Sequence, residues 1–182
     1  MTEGSPATRA AGRDGALVAR AQQGERAALD ELYRRHRDYV YTLCFNLCGD
    51  REDAQDLLQE TFVHAWRGLP KFAGRSSFTT WLYRIAVNVA HDARRRHREP
   101  MPTDRNPAAD AETIDHVRAA LARLRPAHRA VLVLRYSLSL SHQEIAECLH
   151  WSLSRAKVTA HRAKRAFKDE YLRLAGRDEI EK

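Results

Sequence analysis

One stretch limits the folds open to this chain more than any other, the 21 residues from Phe78 to Arg98. Its first half is apolar and aromatic and its second half basic. At about 100° per residue, Phe78, Leu82, Ile85 and Val89 stack on one helical face that has to be buried against neighbouring helices. The flank beside that face carries Trp81, Arg84, Asn88 and Arg95 at helical spacing. Two readings of the flank stand side by side. Aromatic, amide and guanidinium groups in a row suit nucleic acid, since rings stack on unpaired bases, an amide bonds a base edge and arginines hold phosphates. The alternative is a half-buried Trp81 followed by a solvated basic end that is favourable beside the helix dipole.

A chain of 182 residues holds one ordinary domain or two small ones. The proline-rich interruption at Glu99 to Ala111 favours two, each with its own core. The net charge of +7 and pI of about 9.7 point to a polyanionic partner. The excess is clustered, because Arg155, Lys157, Arg162, Lys164, Arg165 and Lys168 follow one another with no acid between Leu153 and Lys168. Cys44, Cys48 and Cys148 cannot close a disulfide framework and lack zinc-module spacing, and Cys44 and Cys48, one helical turn apart on an expected core helix, read as small buried hydrophobes. The N-terminus has no apolar signal region and no later run reaches membrane-spanning length, which predicts a cytoplasmic protein.

Along the chain, residues 1 to 14 lack periodicity and are expected to be a disordered tail. A short helix is expected from Ala16 to Gln22, ended by Gly24. A long amphipathic helix then carries Leu29, Leu32, Tyr33, His36, Val40, Leu43, Cys44 and Leu47 up to Gly49, a natural C-terminal cap. Asp50 is placed to cap the next helix, whose inner face is Ala54, Leu57, Leu58, Phe62 and Ala65. Its other face presents Asp53, Asp56, Gln59, Glu60 and Val63. Phosphates would repel such a face, so it is a candidate protein-binding surface or a merely solvated one. A loop with Pro70, Gly74, Arg75, Ser76 and Ser77 leads into the Phe78 helix, with Ser77 as its N-cap.

The second domain is expected to start near Glu112, with one helix marked by Ile114, Val117, Leu121 and Leu124 and another beginning at Pro126. Ser141 and Glu144 form a capping box for the helix of Ile145, Ala146 and Leu149. After a turn at His150 to Ser152 a last helix starts at Leu153, which is helix, tight turn, helix at DNA-reading spacing. Leu153, Ala156, Ala160, Ala163 and Phe167 line its inner face. Ser154, Arg155, Lys157, Val158, His161, Arg162 and Arg165 lie outward, in the pattern of a helix that enters the major groove.

Three motifs, taken in order, resemble a known family. They are Asp53-Ala-Gln-Asp-Leu-Leu-Gln-Glu-Thr-Phe-Val-His-Ala-Trp66, Gly74-Arg-Ser-Ser-Phe-Thr-Thr-Trp-Leu-Tyr-Arg-Ile-Ala-Val-Asn88, and Leu124-Arg-Pro with Leu134-Arg and the Ser141 to Leu149 capping-box helix. Over about residues 15 to 175 the chain resembles bacterial RNA polymerase sigma factors of the extracytoplasmic-function group, which keep only regions two and four. The resemblance implies an all-α protein: a disordered tail at 1–14, region two at 15–98, a linker at 99–111, region four at 112–175 and a tail at 176–182. It implies a core-polymerase surface at Asp53, Asp56, Gln59, Glu60 and Val63, docking on the β′ clamp with further contact to β. It implies a minus-10 surface at Arg75, Ser76, Trp81, Arg84, Asn88, Arg94, Arg95 and Arg96, and a minus-35 surface at Ser154, Arg155, Lys157, Val158, His161, Arg162 and Arg165. Promoter DNA and an anti-sigma factor are the further implied partners. No cofactor, metal or catalytic residue is implied. The recognition helix opens Ser154-Arg155-Ala156 rather than with the family's usual Gly-Thr-Val-Lys-Ser-Arg-like start, which puts individual base contacts there in question.

Two other classes are weighed. Asp50, Glu52, Asp53, Asp56 and Glu60 suggest a metal-dependent nuclease, and His142, Cys148 and His150 a zinc site, but hydrolytic sites need carboxylates that converge in a cleft. Most of these acids point outward along one helix. A stand-alone helix-turn-helix regulator needs only residues 112 to 175 and leaves the acidic face and the Trp81 flank without a task.

Overall fold

The computed structural model describes the backbone of residues 6–96 and 111–178 and the side chains of 14–96 and 116–176. Eight helices make up the described residues: α1 (Pro6–Gln22), α2 (Arg26–Cys48), α3 (Arg51–Gly68), α4 (Phe78–Arg96), α5 (Ala111–Arg123), α6 (Pro126–Leu132), α7 (His142–Leu149) and α8 (Leu153–Asp178). A 3₁₀ turn at Leu69–Lys71 follows α3, and a π turn at Val133–Ser137 continues α6.

The caps come from local sequence. Gly49, at φ 87°, ends α2 with its N–H on the Phe45 carbonyl at 2.7 Å. Asp50 opens α3 by accepting from the N–H groups of Glu52 and Asp53 at 2.8 and 2.9 Å. Ser77 Oγ accepts from the Thr80 N–H at 3.0 Å. Ser141 and Glu144 close the expected capping box, with Glu144 N–H on Ser141 Oγ at 3.2 Å and Ser141 N–H on Glu144 Oε2 at 2.7 Å.

Helices α2, α3 and α4 pack on one another, with α1 across α2 and α4. In the second half α8 lies against α5, α6 and α7. The halves are not separate cores as the sequence suggested. One apolar cluster runs from Leu32, Leu43 and Leu82 through to Val133, Leu134, Ile145 and Cys148, and only Leu124, Leu132 and Ala163 form a satellite. Helix α7 packs on α4, and the π turn on α2. The reason is visible in Val131, Leu132, Val133 and Leu134, all buried: a helical run apolar on every side has to be surrounded, here by α8 and α2.

Polar groups tie the helices at buried points. The Arg129 guanidinium, 8% exposed, donates to the carbonyls of Leu121 at 2.8 Å and Leu47 at 2.7 Å and to that of Ala122. A cation therefore sits at the C-termini of both α5 and α2, where carbonyls lack helical partners and the dipole is negative. Burial, foremost, and the Arg94 charge hold its pKa below the ordinary arginine value.

At the N-terminus the expectation of a tail to residue 14 is corrected, since α1 begins at Pro6 rather than Ala16. Proline suits the first helical position, and Ala and Arg are good helix formers without a periodic stripe. Asp14 is 2% exposed, with Oδ2 2.7 Å from His36 Nε2 and Oδ1 accepting from Arg35 Nη1 at 3.3 Å. The His36 ring in turn meets Phe78 edge-on at 5.3 Å, so α1, α2 and α4 join there. Residues 1–5 lie outside the described residues, as do 99–110 of the expected linker and 179–182 of the C-terminal tail.

Alanine at Asp14 leaves the buried imidazole without its partner and is expected to destabilise the chain by about 1–3 kcal/mol. Urea unfolding will show it as a lower midpoint with the slope unchanged. An unmoved midpoint would mean that the pair adds nothing.

Candidate nucleic-acid interface

The acidic face of α3 forms because its other side fills the core: Ala54, Leu57, Leu58, Thr61, Phe62 and Ala65 are buried. Asp56, Gln59 and Val63 are exposed, Val63 at 45%, while Asp53 and Glu60 are half-buried. Glu60 is also paired. Arg96 Nη2 donates to both of its oxygens at 3.2 and 3.1 Å, and His64 lies 3.7 Å away. The acidic face and the basic end of α4, read from sequence as separate surfaces, are thus neighbours.

Helix α4 divides its predicted site residues. Asn88, Arg94, Arg95 and Arg96 are exposed and Arg84 is half-buried. Trp81 is not available, and its assignment as a base-stacking residue is corrected: it is 9% exposed. Its ring lies 4.9 Å from Phe72 and 5.7 Å from Phe78, and a Cβ built on Gly68 would come 3.1 Å from its Cζ2. The flank reading placed Trp81 by angle alone, and Phe72, arriving on the 3₁₀ loop, supplies an aromatic wall on the side taken for solvent. In the loop, Gly74 has φ 67° and Arg75 is exposed at the tip, while Ser76 Oγ donates to the Ser77 carbonyl at 3.3 Å.

The pairing of α7 and α8 is made by His150, whose φ of 53° reverses the chain, and by the Trp151 N–H reaching back to the Ala146 carbonyl at 2.9 Å. Ser152 Oγ caps α8 by accepting from the Arg155 N–H at 3.2 Å. Ala156 and Ala163 are fully buried, so α8 lies close on its neighbours. Leu153, expected inside, is instead 39% exposed, because it stands in the first turn beyond the end of α7. Ser154, Arg155, Lys157, Val158, His161, Arg162 and Arg165 are all exposed. Arg155 also stacks over Trp151, 4.3 Å from the ring centroid, which orients its guanidinium. The acid of α8 that is seen in ion pairs, Glu170, meets Arg173 at 2.9 Å and Arg123 at 4.0 Å, beyond the basic run.

A cleft of about 1150 Å³ separates the halves, and Asp53, Asp56, Glu60, Asn88, Arg94, Arg95, Arg96, Trp151 and Arg155 all line it. Among the described residues no three His, Cys, Asp or Glu side chains converge as metal ligands. Burial, first among the causes, pushes the thiols of Cys44 and Cys148 up to about 12 and that of Cys48 up to about 11, so all three stay protonated at neutral pH. Sequence reasoning missed Arg129. An arginine directly before the apolar run Ala130 to Leu134 was the available signal.

Comparison with known proteins agrees with this arrangement. Residues 32–99 match the family model of sigma-70 region 2 and residues 114–167 that of sigma-70 region 4. RNA polymerase sigma factor YlaC of Bacillus subtilis is 36% identical over 154 residues, covering 76% of this chain and 89% of that protein. The ECF RNA polymerase sigma factor SigE of Mycolicibacterium smegmatis is 38% identical over 164 residues, and there the match spans 63% of the relative. The solved structure of CnrH in complex with the cytosolic domain of CnrY superposes with a TM-score of 0.72 at 27% identity, over 86% of this chain and 95% of that one. The chain belongs to the extracytoplasmic-function group of RNA polymerase sigma factors. Its function is to direct RNA polymerase to promoters.

Because Trp81 is a core residue, Trp81→Ala is expected to cost about 3–5 kcal/mol of stability. Thermal unfolding of the free protein will register the loss without DNA. A variant as stable as the parent but defective in promoter opening would return Trp81 to the DNA surface.

Proposed function

We propose that the surfaces divide the work of initiation. The carrying observation is the separation of charge, with acids outward on α3 and a run of exposed cations on α8. Phosphates repel the first and attract the second. The face of Asp53, Asp56, Gln59, Glu60 and Val63 docks on the β′ clamp of core polymerase, with further contact to β. Arg75, Ser76, Arg84, Asn88 and Arg94 to Arg96 engage the minus-10 element. Asn88, an exposed amide on α4, meets an unpaired base. Ser154, Val158 and His161 face minus-35 bases, while Arg155, Lys157, Arg162 and Arg165 hold phosphates. Region two then spans 15–98 and region four 112–175, with 99–111 between them.

An anti-sigma partner follows by analogy with CnrH, whose structure holds the cytosolic domain of CnrY. The protein acts in the cytoplasm, by binding rather than by catalysis and without a cofactor. No helix among the described residues is long and apolar enough to cross a membrane. The test of the whole reading is run-off transcription with and without core polymerase, which a stand-alone DNA-binding regulator would not support.

Reversing Asp56 and Glu60 to Lys is expected to weaken core binding while lowering the melting temperature by no more than a few degrees, since an exposed pair such as Glu60 with Arg96 is worth about 0–1 kcal/mol. Undiminished affinity in a titration with core would refute this role. Asn88→Ala is expected to leave closed-complex formation nearly intact and to reduce open complex roughly 5-fold to 150-fold, the equivalent of about 1–3 kcal/mol for one lost base contact. Filter binding beside permanganate footprinting separates the two steps. Equal losses in both would defeat the assignment.

A further inference from the structure

The turn between α7 and α8 holds an aromatic side chain that neither DNA surface above includes. Trp151 is half-buried and packs against the main apolar cluster. One face of its ring carries the Arg155 guanidinium, 4.3 Å from the ring centroid. Both partners are fixed at their backbones, since the Trp151 N–H donates to the Ala146 carbonyl at 2.9 Å and the Arg155 N–H to Ser152 Oγ at 3.2 Å. Ring and cation therefore keep one relation to the start of α8. We propose that Trp151 is a positioning residue for promoter binding: its indole face holds the Arg155 guanidinium in place for a phosphate of the minus-35 duplex, so that this contact is ordered before DNA arrives. The inference rests on the reading of α8 as the minus-35 helix.

The kind of holder matters. Several other arginines of this chain are held by carboxylates, Arg35 by Glu31 at 2.7 Å, Arg96 by Glu60 at 3.1 Å and Arg173 by Glu170 at 2.9 Å. A carboxylate fixes a guanidinium but neutralises it and occupies its N–H groups. An aromatic face fixes it and leaves both the charge and the N–H edge for a phosphate. Among the described residues no carboxylate pairs with Arg155, and its guanidinium donates no hydrogen bond. The stability of α8 does not call for this cation either. Arg155 is the third residue of α8, whose first turn carries no acid, and a positive charge there opposes the positive end of the helix dipole. Among the described residues Lys157, Arg162 and Arg165 have no ring to hold them, so they give up side-chain freedom when they meet DNA. Freedom that Arg155 has already given up in the free chain is not lost again on binding.

The test uses holoenzyme reconstituted from core polymerase and the full chain, on a promoter fragment from a start site mapped with the wild type. Trp151→Ala is expected to weaken closed-complex formation about 2-fold to 12-fold, the range for ordering one long side chain. Arg155→Ala is expected to lower the salt slope by about one, the share of one phosphate. Adding Trp151→Ala to Arg155→Ala is expected to cause no further loss, because the ring acts through the guanidinium. Trp151→Phe keeps an aromatic face and is expected to restore binding, whereas Trp151→Leu keeps apolar bulk alone and is expected to bind as weakly as the alanine variant. Helical circular dichroism is recorded for each, and if Trp151→Ala unfolds, the Phe and Leu variants decide by the same comparison. Wild-type affinity in Trp151→Leu, an unchanged salt slope in Arg155→Ala, or the same loss from removing Trp151 with and without Arg155 overturns the proposal. A fragment with its minus-35 element scrambled separates this from failure of the functional reading. Wild type that binds it as tightly as the intact promoter overturns the minus-35 reading and this proposal together, whereas wild type that prefers the intact promoter, with no effect of Trp151→Ala, overturns this proposal alone.

Discussion

Burial of the apolar face of α4 is the constraint from which the rest of the architecture follows. Helices α1, α2 and α3 all pack on it, and so does α7 from the other half of the chain. Phe78, Leu82, Ala86 and Val89 fill its inner side, and their removal from water, at roughly 25 cal/mol per Å², leaves Asn88 and the arginines that follow on the opposite side. A helix that did not bury this face would have no reason to hold Asn88 and Arg94 to Arg96 in one orientation. The core therefore builds the exposed row of Asn88 and the arginines, and the aromatic cluster of Phe72, Phe78 and Trp81 joins α4 to the loop that precedes it.

Charge acts on a second level. The protein is basic overall, yet its acids are gathered on α3, and the structure joins that face to the basic end of α4 through Glu60 and Arg96. Both groups are partly exposed, so salt and a competing phosphate or protein can exchange them. Inside, the rule is different. Arg129 and the Asp14–His36 pair are each nearly buried and each provided with partners, because a polar group left alone there costs the full penalty of desolvation. The exposed pair is suited to being broken during function and the buried ones to holding elements together.

The docking of the halves gives a physical meaning to an otherwise odd composition. A two-domain protein whose parts never met would not need Val131, Val133 and Leu134 all buried along α6 and the π turn that continues it. The same seam leaves the cleft between Asn88 and Arg155 lined by both acids and arginines.

The sequence by itself determined the helices, most of their ends and the partition of charge among their faces. Gly49, Asp50, Ser77, Ser141 with Glu144, and the turn at His150 act within a few residues of themselves, as caps and turns do, so their effects are legible locally. The acidic face of α3 and the basic face of α8 were legible for the same reason, since helical periodicity places neighbours three and four residues apart on one side. Tertiary structure alone decided the inward turn of Trp81 against Phe72, the place of Asp14 beside His36, and the closing of region four on region two. Each of these depends on partners that the chain brings together from far apart, 22 residues for Asp14 and His36 and 82 for Arg129 and Leu47, and helical angle carries no information about what arrives on the other side of a face.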